Sequence, residues 1–262
     1  MNALAKPLLA TVAAALLIAA TPALGADDSG APWRFELTPY IWGAGLDGSV
    51  RVDGRPQTGL AVEQSFSDIV KALDLAAMGG FEASKGRWGL VLDAVYFRIA
   101  NEGMVSSPRG FASLAAQGAL TQQLYSVAAS YRAVEGRNPV DVIGGLRYSS
   151  VKWDVDVQAS VPLLPVADRR FVQTKDWVDP YVGARIQQAL GGRWTAVGYA
   201  DIGGFGVGSK LAWQALAGIN YGFTPGIIGK VGYRYISVDY DKSDFTYDMA
   251  SSGAYLGVGF RW

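Results

Sequence analysis

The last ten residues constrain the fold more than any other stretch. In Gly253-Ala254-Tyr255-Leu256-Gly257-Val258-Gly259-Phe260-Arg261-Trp262, the residues Leu256, Val258, Phe260 and Trp262 fall at every second position, with Tyr255, Gly257, Gly259 and Arg261 between them. A β-strand sends alternate residues to opposite faces, so one face is apolar and the other small or polar. In a soluble sandwich the apolar face would meet a core. Here the chain runs out on that face at an aromatic residue, which points to a strand whose apolar side meets lipid.

The amino-terminal segment fits export. Lys6 supplies a positive start, Leu8 to Ala20 is apolar, and Ala23-Leu24-Gly25 offers small residues for cleavage before Ala26. This reads as a signal peptide over residues 1–25, because the apolar run falls short of the roughly 20 residues that a spanning helix needs. The barrel domain would then occupy residues 26–262. The 23 basic side chains include Lys6, so the chain beyond the signal carries 22 against 23 acidic ones. A near-neutral balance gives no reason to expect a nucleic-acid partner. With no cysteine, an exported chain forgoes disulfides, which a closed barrel does not need. No apolar run in this part approaches 18 residues, yet barrel strands face lipid only at alternate positions and can still span a membrane.

The repeating unit is a pair of alternating strands joined by a short turn, followed by a longer connection. Trp33 to about Val52 forms the first strand, with Phe35, Leu37 and Ile41 on one face and Glu36, Thr38 and Tyr40 on the other; Pro39 predicts a bulge or break. Within the long connection that follows, Ser67 or Asp68 would cap one helical turn before Leu73. Short turns are expected at Lys85-Gly86-Arg87, Glu135 to Pro139, Gly191-Gly192-Arg193 and Thr224-Pro225-Gly226. The strands between them run over 74–84, 87–100, 119–134, 140–157, 177–190, 194–205, 211–223, 227–240 and 245–262. The reading is all-β: one up-and-down antiparallel transmembrane barrel of ten strands, with eight or twelve as alternatives if weak strands merge or the first connection hides a hairpin. Trp33, Trp88, Trp194 and Trp262 lie beside a terminus or a short turn and would make one aromatic belt; Trp42, Trp153, Trp177 and Trp213 lie near the longer connections and would make the other.

Several blocks then carry a resemblance. Leu37 to Gly48 (LTPYIWGAGLDG), Lys85 to Leu90 (KGRWGL), Asp201 to Ser209 (DIGGFGVGS) with Trp213-Gln214, and Gly232 to Tyr235 (GYRY) with Asp239 to Asp241 look like recurrent blocks of a large, poorly characterised group of small porin-like outer-membrane β-barrels of Gram-negative bacteria. The resemblance implies a cell outer-membrane location. It also implies lipid and lipopolysaccharide around the barrel, and a closing strand whose Leu256, Val258, Phe260 and Trp262 are read by the barrel-assembly machinery. It lends no catalytic residue and no substrate. The glycines at 203–208 precede no helix and no Lys-Ser/Thr, so they read as a tight barrel rim rather than a phosphate cradle.

With apolar residues facing lipid, the inward set includes Glu36, Glu82, Asp93, Asp179 and Asp201 together with Arg132, Arg147, Arg185, Arg234 and Arg261. A cation at the bilayer midplane would cost about 2–4 kcal/mol, so the charges and the alternation choose the same interior. Acids on the first strands and arginines on the next suggest two walls. Two function classes follow: a passive channel for small polar solutes, with the lumen charges as its filter, or a barrel plugged by its own ion pairs that is structural or meets partners through loops near Arg55 to Asp68, Ser106 to Ala112 and Val161 to Val172. Known outer-membrane enzymes, including lipid A deacylases, palmitoyltransferases, phospholipases and omptin proteases, resemble one another in using a histidine, and this chain has none. Glu82 or Asp93 would be the obvious general-base candidates, with no serine nucleophile motif or carboxylate dyad standing out. The chain reads as a non-enzyme, with no catalytic residue, cofactor or metal assigned.

Overall fold

The computed structural model describes residues 30–52, 59–64, 73–106, 113–160, 167–242 and 245–262. The signal segment and the helical turn expected near Ser67 lie outside these residues. Eleven strands follow in chain order: β1 (Trp33–Val52), β2 (Gly59–Gln64), β3 (Leu73–Lys85), β4 (Trp88–Ser106), β5 (Ser113–Val134), β6 (Val140–Ser160), β7 (Ala167–Gly191), β8 (Trp194–Gly203), β9 (Leu211–Thr224), β10 (Ile227–Lys242) and β11 (Phe245–Arg261). Each pairs antiparallel with its neighbours, and β11 pairs with β1 to close the sheet. β3 lies against the lower part of β1, Trp33–Pro39, and β2 against its upper part, Leu46–Arg51. The two run in the same direction and share one place in the wall. The barrel therefore has ten places, as the strand pattern implies, and the short β2 is an addition inside the first long connection.

Local chemistry explains the turns. Gly86 adopts φ +58° between β3 and β4, and Gly191 and Gly192 adopt φ +113° and +56° between β7 and β8, a backbone region that glycine enters without steric cost. Pro39 produces no bulge but a local break. The β1–β11 ladder keeps its phase from Leu37↔Phe260 to Tyr40↔Gly257 with Thr38 and Pro39 left without partners between, and the β1–β3 ladder ends at Pro39, where the N–H is missing. Interior glycines admit close backbone approach: a Cβ at Gly253 would stand 1.9 Å from the Gly43 carbonyl oxygen across the β11–β1 seam, and one at Gly145 would stand 2.1 Å from that of Val127. Those strands could not coil as tightly with any larger residue.

The outer surface is an apolar band between two aromatic rims. At the short-turn end, Trp33 stacks on Phe35 and Phe35 on Trp262, Trp88 packs on Tyr131, and Trp194 packs on Tyr221. Leu256, Val258, Phe260 and Trp262 are all exposed on this outer face. The seam is pinned there by Phe35 N–H donating to the Trp262 carbonyl and Trp262 N–H donating back. The opposite rim differs from the expected tryptophan belt. Trp42 and Trp177 are buried inside and Trp153 packs against the same interior cluster; Trp213 alone of the four faces out, beside Tyr235, and Tyr125 stacks on Tyr148 further round. Parity is the reason: Trp42 shares the face of Glu36, Trp153 that of Arg147 and Trp177 that of Arg185.

Beyond that rim the wall is uneven. β7 begins at Ala167, ten residues earlier than the pattern predicts, so Ala167–Val172 is strand rather than surface loop. β8 stops at Gly203. Above its end a rim turn bridges β7 and β10: Gly204 N–H donates to the Pro180 carbonyl and Ser209 N–H to Asp179 Oδ1 at 2.6 Å on β7, and Lys210 N–H to the Asp239 carbonyl on β10. On the tall side the outward face turns polar, where Arg170 holds Asp154 through two hydrogen bonds of 2.9 and 2.6 Å.

Candidate functional site

The lumen has two storeys. The upper is an apolar plug in which inward side chains of β1, β4, β5, β6, β7, β10 and β11 meet, among them Trp42, Phe97, Leu124, Val151, Trp177, Val238, Tyr240, Phe245 and Tyr247. Trp177 lies 4.5 Å from the Tyr240 ring and 5.8 Å from that of Tyr247, and Phe245 packs on Trp153, Tyr240 and Tyr247. The void left among these side chains measures about 20 Å³, room for little more than one water.

The lower storey is polar and surrounds a cavity of about 390 Å³. Arg34, Pro139, Asn220 and Arg261 line it where the short turns begin, so it reaches that end of the barrel. Its charges pair across and around the wall. Arg185 donates to Glu82 on the far side and to Asp141 beside it, and Arg132 donates to Asp141 at 2.8 Å. Arg234 crosses to Asp93 at 2.8 Å, also donates to Gln214 and to the Tyr40 hydroxyl, and lies 5.1 Å from the Trp42 ring; Tyr40 in turn donates to Asp93 at 2.7 Å. Arg147 donates to Asp201 at 2.6 Å and sits 4.6 Å from the Tyr181 ring, with Tyr199 donating to the same carboxylate oxygen. Glu36 accepts from Arg261 at 2.6 Å and from Lys230.

Of the ten charges the sequence places inside, nine stand in this lower storey. Asp179 stands higher, 0% exposed, where it accepts from the Trp177 indole and the Ser209 amide and ties the rim turn to β7. The two expected walls interleave, because Asp141 and Asp201 stand among the arginines of β5–β7, and Lys230, Arg234 and Arg261 on β10 and β11 close round beside β1 and reach Glu36 and Asp93. Each arginine of the set reaches a carboxylate, so no transverse field of unpaired charge spans the lumen. Asp141, Lys230, Tyr40, Tyr199 and Gln214 complete the network and were not among the sequence candidates. All of them obey the same alternation as their partners, which is the signal that identifies them.

The pairing carries an energetic consequence. Taking charges out of water costs several kcal/mol per ion, which attraction offsets only when geometry and hydrogen bonds are both good. Arg147 and Asp201, at 2% and 5% exposed, meet that condition only in part: Tyr199, Ser126 and the Tyr181 ring support the pair, while Arg147 Nη1 and Asp201 Oδ1 are left without a hydrogen-bond partner.

No family model and no curated protein matches the sequence. Among solved structures, the outer membrane protease OmpT from Escherichia coli is similar, at 10% identity and a TM-score of 0.56, over 89% of this chain and 98% of that one. Ail, the attachment invasion locus protein of Yersinia pestis, aligns over 88% and 98% at 13% identity and a TM-score of 0.36. The outer membrane protein OprG from Pseudomonas aeruginosa aligns over 88% and 96% at 12% identity and a TM-score of 0.34. The likeness to OmpT is one of fold: a closed, antiparallel, up-and-down barrel.

Proposed function

We propose that the protein is an integral barrel of the outer membrane that passes no solute from end to end, exported through a signal cleaved after Gly25. It serves as a structural or surface-interaction barrel. Lipid and lipopolysaccharide surround its apolar band, the barrel-assembly machinery reads its closing strand, and the tall polar edge of β4–β7 is the surface offered outward. The observation that carries this reading is the plug: an aliphatic and aromatic layer fills the upper lumen above charges that are already paired. A porin needs a continuous polar path, because an ion entering a dry apolar constriction loses its hydration without replacement.

The likeness to a protease is one of fold. The chain contains no histidine, and the lumen carboxylates Glu82 and Asp93, the general-base candidates read from the sequence, are each held by an arginine. Both facts support a non-enzymatic barrel. Solute uptake tests the proposal. Proteoliposomes carrying folded protein are expected to swell in small sugars and amino acids no faster than protein-free liposomes, and swelling that tracks solute size would refute it.

A further inference from the structure

The cavity below the plug is closed above and open at the short-turn end, and its charge is not balanced there. Deeper in, Asp93 has Arg234 and Asp201 has Arg147, while level with Glu36, which lies beside Glu82 in the β1–β3 register, Glu82 and Asp141 together serve Arg132 and Arg185. Toward the mouth five cations, Arg34, Arg132, Arg185, Lys230 and Arg261, face three carboxylates, Glu36, Glu82 and Asp141. Glu36 is shared between Lys230 and Arg261, and Arg34, two residues along the same face of β1, lines the cavity with no ion-pair or hydrogen-bond partner among the described residues. The alternation of β1 holds Arg34 on the lumen face at the open end of the cavity, where it stays exposed to water and its field reaches the mouth.

Unused hydrogen-bonding capacity lies deeper. Arg147 lines the cavity at 2% exposure, and its Nη1 has no hydrogen-bond partner. A solute with two or more oxyanions would meet the excess positive charge at the mouth and further guanidinium groups along the wall. A volume of about 390 Å³ accommodates an anion of phosphate or citrate size together with water. A cationic or neutral solute gains nothing from this arrangement.

We propose that the short-turn half of the lumen binds a small polyanion, a solute bearing phosphate or carboxylate groups, which enters from the end that faces the periplasm in barrels of this construction and is held first by Arg34, Lys230 and Arg261. The site needs only the lower storey and so goes beyond the non-conducting reading without depending on it.

Calorimetric titration of the folded, detergent-solubilised protein at low ionic strength tests this, with inorganic phosphate and citrate as separate probes. Saturable one-site binding of at least one probe is expected, weakening as salt is raised. Binding of phosphate alone, of citrate alone or of both supports the site and identifies which oxyanion it takes. Arg34→Gln is expected to weaken binding about tenfold, the loss of one charged hydrogen bond, and Arg34→Glu to abolish it. Arg193→Gln removes a cation of the same rim that donates to the Phe223 carbonyl outside the cavity, and is expected to change nothing. Because Arg34 is exposed and unpaired, its replacement leaves the barrel folded, which heat-modifiable gel migration verifies. No saturable binding of either probe, undiminished binding in Arg34→Glu, or equal losses in Arg34→Gln and Arg193→Gln would overturn the proposal, and none of these outcomes bears on whether the barrel conducts.

Discussion

Arg147→Ala is expected to lower folding stability by about 3–5 kcal/mol, the range for breaking a buried ion pair by removing one partner. The cost comes mainly from what remains. Asp201 would keep its charge at 5% exposure with only the Tyr199 hydroxyl donating to it, and its Oδ1 has no partner even in the intact protein. The Tyr181 ring and Ser126 would lose their contacts with the guanidinium as well. Removing both charges together, as Arg147→Met with Asp201→Leu, is expected to recover most of the loss, because apolar groups of similar volume need no pairing. Arg87→Ala gives the contrast: its bond to Glu135 joins side chains 42% and 57% exposed, and such a pair is worth about 1 kcal/mol or less. Urea unfolding in detergent micelles measures all three. A cost for Arg147→Ala no larger than that for Arg87→Ala would show that the lumen pairs are hydrated and loosely held.

The second large effect concerns the plug. Trp177→Ala with Tyr247→Ala removes two rings that border the small void of the upper lumen. Each truncation is expected to cost about 3–5 kcal/mol, the transfer free energy of an aromatic ring plus that of the cavity left behind. Trp177→Ala also strips Asp179 of its indole donor, leaving the Ser209 amide to hold it. The functional consequence follows from volume. The enlarged void joins the polar cavity below, and the folded variant is expected to show discrete conductance steps in a planar bilayer. A destabilised variant that remains electrically silent would mean that other side chains collapse into the space.

The architecture was legible because a barrel writes itself in period two. The closing strand, the four short turns and the number of wall places follow from alternation and turn chemistry, and the inward positions of the charged residues follow from the same parity. β2 was not legible: six residues, Gly59–Gln64, inside a long connection pair only with the upper part of β1, and so short a segment shows no pattern of its own. The plug was missed for a different reason. Trp42, Trp153 and Trp177 stand near strand ends, where a belt is expected, yet each shares its face with a charged lumen residue, and parity rather than proximity to a loop decides which way a strand residue points. Which arginine meets which carboxylate depends on the lumen width and on contacts between distant strands, such as Arg185 on β7 with Glu82 on β3, and local sequence holds no record of that.

Single-channel recording of the wild-type protein in a planar bilayer, with insertion of folded barrels verified by heat-modifiable migration, tests the sealed lumen most directly. A flat baseline is expected from the wild type across the voltage range in which the Trp177→Ala/Tyr247→Ala variant steps. Reproducible openings in the wild type, with an ion preference that shifts in Arg147→Ala, would contradict the account and make the arginines of the lower lumen the filter of an open pore.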